Sequence, residues 1–165
     1  MIIIEGCDKC GKSSIAAALH ARIGWPVVKF NQPTTPDPCD EYLAALEANP
    51  DPFIADRFHL GEFVYGPLYR HTRPSRRKMR LIEDQLIARR ALLVLMWDYE
   101  EDVVTRFKLL EEKFAKLVDA PVILGEFHEA WLRSRASKVP LRWSADEVAQ
   151  RLIVDRVARL AVGRQ

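Results

Sequence analysis

Near its start the chain reads Ile2-Ile3-Ile4-Glu5-Gly6-Cys7-Asp8-Lys9-Cys10-Gly11-Lys12-Ser13-Ser14. A β-branched run stopped by a glycine predicts a short buried strand over Ile2–Glu5. The next eight residues, glycine, any four, then Gly-Lys-Ser, form the pattern of a phosphate-binding loop. The glycines let the backbone curl so that its N–H groups converge on phosphate oxygens. The helix expected from Ser13 adds the positive end of its dipole. Lys12 is the point charge for β- and γ-phosphates, and Ser13 offers a hydroxyl to Mg²⁺. Gly6, Asp8, Lys9, Cys10, Gly11, Lys12, Ser13 and Ser14 are therefore the candidate nucleotide-binding residues, with ATP and Mg²⁺ as the expected ligands.

Outward from the loop, apolar runs alternate with helical patterns. Strands are expected at Pro26–Phe30, Phe53–Ala55, Ala91–Met96 and Val139–Trp143. Helices are expected at Ser13–Ile23, Asp40–Glu47, Phe58–Val64, Lys78–Arg90, Asp102–Leu117 and Phe127–Arg135. Asp40 is expected to cap the second of these helices. A last helix follows Ser144, with Ser144 and Glu147 as a capping box. Strand–helix alternation predicts an α/β protein, a three-layer P-loop fold with a five-stranded parallel sheet. Residues 1–165 read as one domain, because strands flank the Pro-rich stretch Asn31–Pro38.

The chain has 165 residues, 48% hydrophobic and 29% charged, which excludes disordered and collagen-like classes. With 25 basic against 23 acidic residues, the whole chain has no strong pull toward nucleic acid or membrane. No apolar run is long enough to span a bilayer. Three cysteines at uneven spacing do not form a secreted disulfide framework, so a cytoplasmic setting is expected. Cys7 and Cys10 form a Cys-x-x-Cys, but both lie in the phosphate cradle. Charge is segregated locally. Arg70, Arg73, Arg76, Arg77, Lys78 and Arg80 make a basic stretch without an acid, a candidate contact for DNA. His59 is a candidate substrate contact, whereas the four tryptophans read as core or interface.

Asp56-Arg57 follows the third strand, and residues just past such a strand end face the ligand crevice of a parallel sheet. Asp56 there can orient Mg²⁺, and Arg57 can clamp a phosphate. Glu5-Gly6-x-Asp8-x-x-Gly11-Lys12-Ser13 resembles the P-loop of thymidylate kinases. The stretch Asp56-Arg57-Phe58 through Tyr65-Gly66 matches that family's second motif in register at Asp56, Arg57 and Tyr65. The resemblance is good from Met1 to about Tyr69 and faint beyond Arg106.

The resemblance implies a deoxynucleoside monophosphate kinase moving the ATP γ-phosphoryl onto dTMP or a related pyrimidine nucleotide. It places Asp8 on the acceptor sugar, Arg57 on the acceptor phosphate, Asp56 with Ser13 at the metal, and Tyr65 beside the sugar. Lys9 would stand where some members carry an arginine, so Lys9, Lys12, Asp56 and Arg57 are the implied catalytic residues. Asp8, Arg57 and Tyr65 are the implied substrate contacts, Arg70 of the basic stretch is a further candidate substrate contact, and a homodimer is the implied assembly. Phe58, Gly61 and Gly66 depart from the family's Tyr, Ser and Gln. The family's Arg-rich lid after the fourth strand has no counterpart, and Arg70, Arg73, Arg76 and Arg77 are expected to take its place. A kinase of a nucleoside or of DNA, and an ATP-binding regulatory module without transfer activity, are the alternative readings.

Overall fold

The computed structural model describes residues 1–50, 52–109 and 117–163. Five strands form one wholly parallel sheet: β1 (Ile2–Gly6), β2 (Val27–Lys29), β3 (Ile54–Asp56), β4 (Leu92–Trp97) and β5 (Ser137–Arg142), in the order β2-β3-β1-β4-β5. Burial follows from that order. Central β1 is buried along its whole length and β4 along all but its last residue, which is why Ile2–Ile4 and Leu92–Met96 read as unbroken apolar runs. Edge strand β5 instead buries only Val139 and Leu141.

The helices are α1 (Lys12–Ile23), α2 (Cys39–Ala48), α3 (Gly61–Tyr65), α4 (Arg76–Ala88), α5 (Glu100–Leu109), α6 (Ala120–Arg133) and α7 (Glu147–Val162). One π-helical turn, Gly66–Arg70, continues α3, and a 3₁₀ turn, Leu117–Asp119, leads into α6. α1 packs on β1, β2 and β3 and against α7, while α6 lies on β1 and β4 with α3 and α5 beside it. The resulting layers are those expected. No helix among the described residues is long and apolar enough to cross a membrane.

Several boundaries move for local reasons. α4 begins at Arg76, because the Ser75 hydroxyl accepts from the Lys78 N–H. α2 is led by Asp37, whose carboxylate accepts from the Cys39 N–H, and Asp40 lies inside its first turn. At α7 the expected capping box does not form. Asp146 caps the helix by accepting from Ala149 N–H at 2.7 Å, and Ser144 accepts from Asp146 N–H. α6 starts seven residues earlier than the apolar pattern suggested, with Pro121 in its first turn. Of the helix expected over Asp102–Leu117, residues 110–116 lie outside the described ones.

One glycine is fixed by the sheet itself. Gly6 has φ +135°, and a Cβ there would stand 2.1 Å from the carbonyl oxygen of Met96 on β4. The loop can leave β1 only because no side chain stands between the strands.

A buried polar clamp ties α4 to two other segments. Glu83 accepts from His59 Nε2 at 2.7 Å, from Ser134 Oγ at 2.8 Å and from Arg135 N–H at 2.8 Å. His59 is wholly buried, which corrects its reading as a substrate contact. Burial alone would raise the Glu83 carboxyl, but these donors bring it down to about 2 from an ordinary 4.5. A carboxyl lowered on folding stabilises above its unfolded value and loses that contribution as pH falls through the folded one. Urea midpoints measured between pH 6 and pH 2 should therefore fall most steeply between about 4.5 and 2, and the fall should shrink in Glu83→Gln.

Candidate functional site

The carboxyl ends of β1, β3 and β4 open on one side of the sheet. There the loop after β1, the Asp56-Arg57 turn after β3 and Asp98 after β4 come together, as the crevice rule for parallel sheets requires. The loop takes the curled form its glycines permit. Gly6, Lys9 and Gly11 all have positive φ. A Cβ on Gly11 would lie 2.8 Å from the Trp143 ring, so the indole rests directly against the loop.

Lys12 does not face solvent, as a loop lysine would be expected to. It is 6% exposed, and its ammonium donates to the carbonyls of Gly6 at 2.9 Å and Cys7 at 2.7 Å and to Asp8 at 3.3 Å. A buried ammonium must be paired, and the curled loop supplies the oxygens. Ser13 and Ser14 are exposed at the start of α1, and Cys10 is buried below them. The Ser13 hydroxyl donates to Asp56 Oδ2 at 2.7 Å, across 43 residues of sequence. Asp56 Oδ1 is buried without a hydrogen-bond partner among the described residues. A hydroxyl beside a carboxylate with a spare oxygen fits Mg²⁺, which takes few protein ligands and completes its shell with water and phosphate. Ser13 and Asp56 are the residues that would hold it.

Asp8 gathers the other expected residues. Its Oδ1 accepts from Arg57 Nη2 at 2.8 Å and from Lys12, and its Oδ2 accepts from the Tyr65 hydroxyl at 3.1 Å. Burial works against its charge, but Lys12 and Arg57 outweigh it and hold the carboxyl below its usual range. Arg57 sits at φ +71°, a left-handed conformation uncommon for a side-chain-bearing residue. Its N–H donates to Ile4 O at 2.9 Å, so the strained turn is fastened to β1 and the guanidinium is aimed at the loop.

Beyond Asp8 lies a cavity of about 560 Å³, a size suited to a small organic ligand. Its walls are aromatic. Phe58 packs edge-on to Phe30 at 4.9 Å and to Tyr42 at 4.8 Å, and Tyr65 packs on Phe127 at 5.6 Å. Polar groups punctuate the walls: Glu5, Asp8, Lys29, Asn31, Gln32, Arg57, Glu62 and Arg70. Glu5 is 1% exposed, and its Oε1 accepts from the Phe58 and Leu60 N–H groups. Burial outweighs the nearby cations and raises the Glu5 carboxyl.

The basic stretch divides. Arg70 turns into the cavity and pairs with Glu62, and Lys78 pairs with Asp37 and Asp40. Arg73, Arg76, Arg77 and Arg80 are exposed. A second arginine cluster went unread in the sequence. Asp98 accepts from Arg106 Nη2 and Arg142 Nε, both at 2.6 Å, close enough for Arg106 to act on the Cys10 thiol. Its members come from the loop after β4, from α5 and from the end of β5, and form no motif. Tyr42, Glu62, Phe30 and Asn31 are likewise site residues that no local pattern marks.

Asp56→Asn keeps the shape of the side chain and removes the charge that a divalent cation needs. Calorimetry with ATP should show that Mg²⁺ strengthens binding to the wild type at least about tenfold more than to Asp56→Asn. An equal Mg²⁺ effect in both proteins would dissociate Asp56 from the metal.

No family model matches the chain. It is 26% identical over 161 residues to the SPbeta prophage-derived uncharacterized protein YorR of Bacillus subtilis strain 168, covering 93% of this chain and 96% of that one. The crystal structure of YorR in complex with phosphorylated GDP superposes with a TM-score of 0.80 at 24% identity, over 99% of this chain and 98% of YorR. A deoxyadenosine kinase from M. mycoides with bound dCTP gives 0.61 at 15% identity, over 95% and 98% of the two chains. A gluconokinase from Sinorhizobium meliloti 1021 gives 0.55 at 15% identity, over 98% and 89%. The fold is thus the α/β arrangement of P-loop kinases, a five-stranded parallel sheet flanked by helices.

Proposed function

We propose that this chain is an ATP-dependent nucleotide or nucleoside kinase, with a deoxynucleoside monophosphate as the leading acceptor. One observation carries the reading. Asp8 joins the phosphate loop, through Lys12, to an aromatic cavity, through Arg57 and Tyr65. A triphosphate on the loop would thereby end beside an acceptor in the cavity. The nucleotides bound by YorR and by the deoxyadenosine kinase support a ligand of this class.

The chemistry asks for position and charge more than for a covalent intermediate. An acceptor oxygen attacks the γ-phosphorus, the bond from that phosphorus to the β–γ bridging oxygen breaks, and ADP leaves with the electron pair. Lys12, fixed over the loop by two carbonyls, brings positive charge to the β- and γ-phosphates, and Lys9 adds charge at the loop tip. Arg57 clamps the acceptor phosphate, while Asp8 and Tyr65 position the sugar. Mg²⁺, held by Ser13 and Asp56, would neutralise charge on the phosphate oxygens.

The dTMP acceptor that the sequence resemblance implies belongs to this reading. A nucleoside hydroxyl is a second acceptor form. Arg70 is paired with Glu62, which leaves Arg57, sharing Asp8 with Lys12, and Lys29 as the cavity cations for an acceptor phosphate. A nucleoside hydroxyl must instead lose a proton on attack, and Glu5 in the cavity wall is the carboxylate that would take it.

The test is ADP release with Mg²⁺-ATP across deoxynucleosides, deoxynucleoside monophosphates and DNA, with the product examined for added phosphate. Transfer to a mononucleotide or nucleoside is expected. Lys12→Ala should lower kcat at least about 100-fold. Arg57→Ala should lower kcat/KM for a monophosphate about 10- to 100-fold, through loss of a charged hydrogen bond. ATP turnover without any phosphorylated product would point instead to a regulatory module, and phosphate appearing only on DNA would move the acceptor to a polynucleotide.

A further inference from the structure

Glu62, Tyr42 and Arg70 meet in the wall of the cavity, brought there by α3, α2 and the π turn. Glu62 is 4% exposed. Its Oε1 accepts from the Tyr42 hydroxyl at 2.9 Å, and its Oε2 accepts from Arg70 Nη2. Both oxygens are therefore engaged within the protein, and Glu62 acts as an anchor. Arg70 is different. A guanidinium carries five N–H donors in one plane. Arg70 lines the cavity and spends one of its nitrogens on Glu62, and its other nitrogens have no hydrogen-bond partner among the described residues.

The π turn makes this placement. Gly66–Arg70 follows α3 directly, and the His71 at its end is left-handed at φ +53°. The wider turn carries Arg70 back over Glu62, eight residues earlier in the chain. Tyr42 is held in turn by its ring contacts with Phe30 and Phe58. The result is a planar donor group fixed beside aromatic walls, where a flat heterocycle would lie. Because Glu62 neutralises it, Arg70 suits hydrogen bonding to a neutral ring better than binding of a phosphate.

A fixed guanidinium fork matches two neighbouring acceptors in one plane. Guanine has such a pair in O6 and N7, and cytosine in O2 and N3. Every edge of adenine and thymine instead sets a donor or a C–H between its acceptors. We propose that Arg70, pinned by Glu62 and Tyr42, reads the acceptor base and selects guanine or cytosine over adenine and thymine. The proposal rests on the kinase reading above and replaces the thymine preference that the sequence resemblance implies.

The experiment measures kcat/KM with saturating ATP for the four deoxynucleosides and their monophosphates. Binding of the same compounds is measured by calorimetry without ATP. A guanine or cytosine acceptor should exceed thymine and adenine about 10- to 100-fold, the discrimination one bidentate pair supplies. Arg70→Lys keeps the charge but not the fork, so it should lose most of that ratio while KM for ATP stays within twofold. Removing the guanidinium leaves Glu62 buried without its charge partner. Glu62→Gln/Arg70→Gln therefore serves as a second variant, checked for folding by circular dichroism, and should show the same loss.

A preference for thymine or adenine, equal efficiency with all bases, or full selectivity in Arg70→Lys overturns the proposal. Base-selective binding without phosphoryl transfer upholds Arg70 and sinks the kinase reading. Transfer without base selectivity does the reverse. The absence of both binding and transfer with every compound overturns the two together.

Discussion

The carboxylate of Asp8 is the charge on which the site depends. It lies on the phosphate loop yet accepts from Lys12, from Arg57 in the turn after β3, and from Tyr65 on α3. Three segments that the sheet merely brings near one another are thereby fixed in mutual orientation. Without that negative charge, Lys12 and Arg57 would repel each other across a part-buried space, where Coulomb forces are weakly screened. The arrangement depends equally on backbone strain. The left-handed Arg57 is tolerable because its N–H closes onto Ile4, so the sheet absorbs the cost of aiming the guanidinium.

Charges elsewhere follow the same economy of pairing. Asp98 holds Arg106 and Arg142 side by side near the other flank of the loop, and Glu62 holds Arg70 in the cavity. Each carboxylate keeps a cation within reach of the crevice while lowering its freedom to wander. Such preorganisation reduces the ordering that a ligand must impose when it binds.

Much of the fold was legible because its signals are local. The apolar runs Ile2–Ile4 in β1 and Leu92–Met96 in β4 follow from burial between layers, and the glycine spacing of the loop follows from backbone geometry. The Ser13–Asp56 pairing was legible from motif order, since Ser13 opens the helix after β1 and Asp56 ends β3, both on the carboxyl side of a parallel sheet. What escaped is nonlocal. Tyr42 and Glu62 lie 20 residues apart on separate helices, and their hydrogen bond depends on how α2 and α3 pack. At the start of α7 the Ser144–Glu147 spacing pointed to the wrong cap, because the helix begins at Glu147 and Asp146 lies directly before it. The burial of Lys12 was not legible either, because a sequence shows its charge but not the two carbonyls the loop turns inward.

The close approach at Gly6 separates two pressures that usually look like one. A phosphate-loop glycine invites the explanation that a ligand needs the room. Here the intruding atom would meet the Met96 carbonyl of the neighbouring strand, a backbone atom that no change of side chain can move aside. A side chain at Gly6 would therefore part β1 from β4 whether or not a nucleotide is bound. The first glycine of the loop answers to sheet architecture before it answers to any ligand.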